Sequence, residues 1–265
     1  MMAHVISIKG SSRREKAIER AKDYGLNLNF FDAINLTKMD NKNLKDFFNI
    51  EKFIARYSRQ PSSGDIGCSM SHYALWKKLS IDSESPFHLI LEDDFIPKVN
   101  ASEILKIVME TNKNFDVLIL GYSKVQEKEE SVIKIINPLK ALYSTGRHKI
   151  GVKFRESSCG AVAYVVSKNF VDQVSQFSQK PSYVLDDWVF FKQSGFSILH
   201  VQPLCFYEDF LNMKSYITES GRHIPMHDDI KIKKSAVYIF CRLIYRYIYG
   251  RVLALLMFFN IYSSY

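Results

Sequence analysis

Apolar positions along the chain follow two alternating rhythms. Short runs of β-branched, aromatic and aliphatic residues, His4 to Ile8, Leu28 to Ile34, Phe87 to Leu91, Phe115 to Leu120, Ala161 to Ser167 and Phe196 to Val201, read as strands. Between them, mixed stretches of helical composition predict helices over Arg13 to Tyr24, Asn41 to Arg56, Asp65 to Leu79, Ala101 to Asn112, Asn169 to Phe177 and Asp186 to Ser194. Punctuation agrees: Gly10-Ser11-Ser12 follows the first strand, Gly25 stops the first helix, and Pro61-Ser62-Ser63-Gly64 offers an N-cap to the third. Asn100 or Ser102 caps the next one. After the charged Lys124 to Ser131 loop the rhythm loosens, and Val132 to Ile136 and the Lys140 to Gly151 region read as short strands. Strands alternating with helices predict an α/β fold, an open twisted sheet, mainly parallel, with helices on both faces.

Composition narrows the class. A chain of 265 residues, 47% hydrophobic, is far too apolar for disorder and large enough for one sizeable core. The net charge of +8 is unevenly placed, because Lys231, Lys233, Lys234, Arg242, Arg246 and Arg251 follow Asp229 with no acidic residue among them. The body over residues 1–229 is close to neutral, which argues against a nucleic-acid surface. In the 230–265 tail, Lys231, Lys234, Arg242 and Arg246 fall on one helical arc and Val237, Phe240, Leu243, Ile244, Tyr247 and Ile248 on the other. That pattern predicts a basic amphipathic helix lying on an anionic membrane surface, with a core helix as the competing reading. The longest uncharged run, Val252 to Tyr265, is short of the roughly 20 residues a span requires.

Cys68, Cys159, Cys205 and Cys241 lie far apart with no Cys-x-x-Cys pair, so reduced thiols in a cytoplasmic protein are expected. The first apolar run, Val5 to Ile8, ends at Lys9 and is too short for an export signal. The expected location is therefore the cytoplasm, at the inner face of the cell membrane.

The chemistry concentrates in Glu92-Asp93-Asp94, directly after the apolar run His88-Leu89-Ile90-Leu91. Ligands of open α/β sheets bind beyond the carboxyl ends of the strands. Alternation along an extended chain points Glu92 and Asp94 one way and Asp93 the other, so Glu92 and Asp94 are candidate ligands of one hard cation, Mg²⁺ or Mn²⁺. The plain competing reading is a solvated acidic turn. A receiver-type acidic pocket is excluded, because Asp116 opens its strand and the chain offers Asn137 and Pro138 where a phospho-accepting Asp would be needed.

The segment from Gly64-Asp65-Ile66-Gly67-Cys68 through Ser71-His72-Tyr73-Ala74-Leu75-Trp76, followed by Leu89-Ile90-Leu91-Glu92-Asp93-Asp94, resembles the paired signature of glycosyltransferase family 25. Val5-Ile6-Ser7-Ile8 with Arg13-Arg14, Phe31-Asp32-Ala33, Gly160-Ala161, Asp186-Asp187-Trp188 and Pro203 to Glu208 fit it in order, over about residues 4 to 210. The resemblance implies a GT-A-like fold, inverting transfer, a metal held by the acidic motif, and usually UDP-galactose as donor with a lipooligosaccharide core sugar as acceptor. It assigns nothing after Glu208, His223 and His227 included.

Roles follow for individual residues. Ser7, Lys9 and Arg13, around the loop from first strand to first helix, are donor-binding candidates together with Glu92 and Asp93. His72 joins them through its family position, although a lone His on such a helix is more often a packed residue. Inverting transfer needs one general base, expected at Asp187 with Asp186 as the next candidate, and Trp188 could pack against a sugar. Both acids could instead be capping carboxylates at a helix start. Two other classes use the same features: another metal-dependent phosphate enzyme, such as a nucleotidyltransferase or phosphodiesterase, and an inactive membrane-attached UDP-binding protein.

Overall fold

A computed structural model describes residues 2–36, 44–111, 114–177 and 180–213, with 244–245, 247–249, 251–252 and 255 beyond them. The first unit is β1 (Met2–Ser7), α1 (Arg13–Lys22) and β2 (Asn27–Asp32), with β1 and β2 parallel in register Ser7 to Asp32. Helices α2 (Ile50–Tyr57) and α3 (Ser63–Asp82) lead into β3 (Phe87–Glu92), which lies parallel on the other side of β1. Next come β4 (Phe95–Pro97), α4 (Ala101–Glu110), β5 (Val117–Ile119) and β6 (Gly121–Tyr122). The second half holds α5 (Glu130–Ile136), the hairpin β7 (Leu139–Thr145) and β8 (His148–Lys153), then β9 (Ala163–Ser167) and α6 (Lys168–Phe177). It ends in α7 (Trp188–Gln193), β10 (Ile198–Gln202) and β11 (Phe206–Glu208).

Eight strands form the main sheet in the order β2-β1-β3-β9-β5-β10-β8-β7. Only β9 and β8 run against the other six, so the sheet is mainly parallel as expected, with β9 wedged antiparallel between β3 and β5. Side chains alternate across it. Leu89, Leu91, Ala163 and Val165 face α1 and α4, while Ile90, Tyr164 and Val166 face α3, α6 and α7. Both faces are thus dry, which is why these strands read as unbroken apolar runs. A second sheet, β4-β11-β6, sits beside the carboxyl end of β3, and its pairing sets Glu208 opposite Phe95.

Two expectations change, and one lies outside the described residues. Val132 to Ile136 is helical, not extended: of its apolar side chains whose burial is described only Ile133 is buried, and Glu130 anchors the turn by accepting from Leu204 N at 3.1 Å and from the Tyr207 hydroxyl. The helix expected over Asn41 to Arg56 is interrupted: Leu44 is helical, turns follow it, and α2 begins at Ile50, where the Asn49 side chain accepts from Lys52 N at 3.0 Å; residues 37–43 lie outside the described set. The tail and the 229/230 boundary also fall almost wholly outside it. Its described residues Ile244, Tyr247 and Ile248 are helical and exposed. Among the described residues no helix is long and apolar enough to cross a membrane.

Candidate active site

The carboxyl ends of β1 and β3, the start of α3, and the loops before β9 and α7 surround a cleft of about 730 Å³. It gathers most of the residues singled out above: Ser7, Arg13, His72, Glu92, Asp93, Asp94 and Asp186 all line it. Lys9 does not; it is exposed and lies outside the lining. A second hollow, of about 620 Å³ at the opposite end of the strands, has Asp82 as its sole acidic lining residue, so the charge chemistry belongs to the first.

Local sequence explains how α3 reaches the cleft. Ser62 and Asp65 form a capping box, and Arg59 forks onto the Asp65 carboxylate at 2.7 and 3.1 Å. At Gly67 a Cβ would stand 2.9 Å from Ile34 O, so a larger residue would push the helix away from the loop after β2. Ser71 fastens that approach, its Oγ accepting from Ile34 N at 2.8 Å while donating to Gly67 O at 2.6 Å. On the other side of the helix Ser69 Oγ donates to Tyr183 O at 2.7 Å, tying α3 to the segment that carries Asp186. The Gly67-to-His72 motif is therefore largely a joint between α3, the loop after β2 and the segment before α7.

His72 is buried between Tyr164 and Trp76, its Nδ1 2.6 Å from the Tyr164 hydroxyl, which also accepts from Trp76 Nε1 at 3.1 Å. Burial lowers its pKa to about 3, so the ring is neutral at physiological pH. Its Nε2 lies 3.9 Å from Glu92 Oε1. Burial and then Asp94, Glu208 and Asp93 push the Glu92 carboxyl well above the ordinary carboxylate range; with the imidazole neutral, the contact is not an ion pair.

The acidic triplet splits by role. Asp93 is knitted to the first β-α unit, accepting from Ser7 Oγ at 2.7 Å and from Arg13 Nη1 at 3.0 Å. Asp94 is buried; its Oδ2 lies 3.6 Å from Arg13, and its Oδ1 has no partner. Its pKa is raised to about 7, first by burial, then by Glu208 and Asp93, against the lowering effect of Arg13. An uncompensated buried carboxylate oxygen costs free energy, and the usual remedy is a cation. Glu208 completes the cluster, its carboxylate accepting from Lys124 N at 2.7 Å. No role was expected for it. The available signal was a repeated pattern, since Leu204 to Tyr207 ends in Glu208-Asp209 much as His88 to Leu91 ends in Glu92-Asp93-Asp94.

The paired acids before α7 face opposite ways. Asp186 lines the cleft and accepts from Gly160 N at 3.1 Å, with burial raising its pKa. Asp187 is the N-cap of α7, accepting from Phe190 N, and is held by the Tyr57 hydroxyl at 2.6 Å and Arg56 Nε at 3.0 Å. Asp187 is not among the residues lining the cleft, and its carboxylate is committed to α2; of the two candidate bases, Asp186 is the one the cleft contains. Trp188 is fully buried, its Nε1 donating to Gly160 O at 3.0 Å, and presents no face for a sugar. Gly160 thereby positions Asp186 and Trp188 from one peptide; its φ of +80° and a Cβ clash of 1.8 Å with Ser123 Oγ leave space for glycine alone.

Comparison with known proteins settles the family. Residues 1–189 match glycosyltransferase family 25, described as an LPS biosynthesis protein family. The chain belongs to glycosyltransferase family 25. Among its relatives, the lipooligosaccharide biosynthesis protein lic2B of Haemophilus influenzae is 32% identical over 177 residues, 65% of this chain and 61% of its own length. Procollagen galactosyltransferase 2 of Mus musculus is 26% identical over 142 residues, 50% of this chain and 22% of that protein. The chain thus spans less than two thirds of the length of each of these two relatives. Among solved structures, galactosyltransferase LgtC in complex with donor and acceptor sugar analogs is 12% identical, with a TM-score of 0.37, covering 76% of this chain and 73% of that one.

Proposed function

We propose that this family 25 member is an inverting glycosyltransferase that moves a hexose, galactose from UDP-galactose foremost, onto a sugar of a lipooligosaccharide-type acceptor. The observation that carries the reading is the pairing of an under-compensated carboxylate cluster, Glu92, Asp94 and Glu208, with Asp186 in the same cleft. The names of the lic2B and procollagen galactosyltransferase relatives support the acceptor and the hexose, respectively.

The residues fit a hard divalent cation, Mg²⁺ or Mn²⁺: all-oxygen donors, a buried Asp94 Oδ1 without a partner, and carboxylates that raise one another's pKa. Glu92 and Asp94 would hold it, with Glu208 beside them. Bound there, such an ion neutralises the charge that builds on a departing nucleoside diphosphate. Arg13, fixed by Asp93, adds a positive charge at the same end of the cleft. Asp186 would take the proton of the acceptor hydroxyl as its oxygen attacks the anomeric carbon. Burial raises Asp186 from the ordinary Asp value, which makes it a stronger base than a solvated carboxylate. The basic tail would hold the enzyme at an anionic membrane surface, near a lipid-anchored acceptor.

The test is a donor screen. Purified protein with Mn²⁺ and a soluble core-oligosaccharide acceptor is offered UDP-galactose, UDP-glucose and their N-acetyl forms. The reading expects one preferred donor, release of UDP and an elongated saccharide. Formation of a nucleotide sugar from nucleoside triphosphate and sugar phosphate, with no elongated saccharide, would overturn it.

A further inference from the structure

One turn of α3 and the last residue of β3 bring a thiol, an imidazole and a carboxylate together. Cys68 and His72 are four residues apart, which on a helix places them on one face. Among the described residues, Cys68, His72 and Glu92 are the group whose potential ligand atoms all lie within 4.8 Å of one another. Tetrahedral zinc, with Zn–S near 2.3 Å and Zn–N near 2.0 Å, separates its ligands by roughly 3.4–3.8 Å, so about 1 Å of side-chain closure completes the site.

The ring is already oriented for this. Tyr164 Oη accepts from Trp76 Nε1 and stands 2.6 Å from His72 Nδ1, so the far ring nitrogen has a fixed partner; the tautomer protonated at Nδ1 presents Nε2 to Glu92 as a ligand. A fixed partner on the far imidazole nitrogen is the usual second-shell arrangement of a histidine ligand. Burial first, then Glu92, Asp186, Asp65 and Asp94, push the Cys68 thiol well above its usual pKa, so it stays protonated until a cation displaces the proton, and the surrounding carboxylates favour that cation.

We propose that Cys68 Sγ, His72 Nε2 and the Glu92 carboxylate form a second metal site, selective for a thiophilic divalent ion of the Zn²⁺ class. The mixed sulfur, nitrogen and oxygen set suits Zn²⁺ and disfavours Mg²⁺ or Ca²⁺. Three protein ligands leave the fourth position to water. On binding, Cys68 releases its thiol proton to solvent and coordinates as thiolate, so occupancy rises with pH. Glu92 serves this ion or the hard cation of the donor site, and cannot serve both. Zinc there is a competitor of the hard cation, a consequence that rests on the donor-site reading, whereas the zinc site itself does not.

Co²⁺ is the probe, because it gives intense visible bands in tetrahedral sites and a sulfur-to-metal charge-transfer band in the near ultraviolet. Titrating the full, metal-free chain should develop both with a one-to-one end point. One equivalent of Zn²⁺ should abolish them, and a hundredfold excess of Mg²⁺ should not. Cys68→Ser should lose the charge-transfer band and His72→Gln should weaken binding at least tenfold, each checked for folding by circular dichroism, while Cys159→Ser keeps the wild-type spectrum. Absence of a charge-transfer band in the wild type, or its survival in Cys68→Ser, overturns the proposal. Calorimetric binding of UDP with Mn²⁺ reads the donor site separately, so either reading can fail while the other stands.

Discussion

Among the described residues, two clusters of buried ionisable groups are built on opposite plans. Behind the loop that leads into β9, Lys153, Glu156 and His200 are almost fully buried and mutually satisfied: Glu156 sits 3.1 Å from His200 Nε2 and 3.9 Å from Lys153 Nζ, and Lys153 lies over the Tyr122 ring at 4.5 Å. His200 and then Lys153 outweigh the burial of Glu156 and hold its pKa down at about 2. In the cleft, Glu92, Asp94 and Glu208 face one another with Arg13 as the main compensating charge, and Asp94 rises to about 7. A carboxylate that serves the fold carries its counter-charge within the chain. On the reading proposed above, one that serves a ligand leaves the counter-charge to be supplied.

The largest expected effect tests the cleft side. Asp94→Asn keeps size and removes charge, and should lower metal-dependent transfer on the order of a thousandfold, the several kcal/mol that a direct ligand contact contributes. Initial rates at saturating Mn²⁺ decide; activity within a few-fold of wild type would erase the distinction between the clusters.

The mirror substitution, Glu156→Gln, strands Lys153 without its counter-charge. It should cost about 3–5 kcal/mol of folding stability, a fall in Tm on the order of 10 °C. Asp94→Asn, by contrast, should leave the metal-free Tm unchanged or raised at pH 8, as scanning calorimetry of both variants would show.

Asp186 and Asp187 repeat the comparison at two adjacent residues. Asp186→Asn should lower turnover by at least about a hundredfold with UDP affinity retained. Asp187→Asn keeps a capable N-cap through the oxygen that accepts from Phe190 N and loses the pairing of the other oxygen with Arg56 and the Tyr57 hydroxyl, so turnover should stay within a few-fold and stability drop by about 1–2 kcal/mol. Rates measured beside UDP calorimetry separate them, and the reverse pattern would return the base to Asp187.

The smallest effect is in pH. Asp94 has a folded pKa of about 7 against an ordinary 3.8, so its protonated form stabilises the metal-free protein below about pH 4, and that contribution is lost as pH rises through 7. Protons and the cation compete for the same oxygens, with Glu208, Asp93 and Arg13 as the charged neighbours. The thermal shift produced by Mn²⁺ should therefore grow by a few degrees between pH 6 and pH 8; a shift that shrinks would place the cation elsewhere.

Much of this is legible in the residue pattern. The strand runs are continuous because both sheet faces are buried, and the triplet after Leu91 stands at a strand end where ligands bind. What was illegible depends on orientation and distant pairing. Nothing local tells that Asp187 turns outward to Tyr57 and Arg56 while Asp186 turns in, because both satisfy the sequence requirements of a helix start. Trp188 reads as an aromatic platform until Gly160 O is seen to accept its only polar hydrogen in the core. Glu208 reaches the cleft through the pairing of β11 with β4, a contact across more than a hundred residues. In α5, β-branched residues argue for a strand, and the tertiary anchors of Glu130 override them.

The central claim is that the cleft carboxylates receive their counter-charge from a divalent cation that holds the donor diphosphate. Isothermal titration of UDP into the wild-type protein and into Asp94→Asn, each with Mn²⁺ and with chelator, tests it directly. The account predicts UDP binding that needs Mn²⁺ in the wild type and is lost with the Asp94 carboxylate. Equal UDP affinity in chelator, or an unchanged Mn²⁺ requirement in Asp94→Asn, would contradict it.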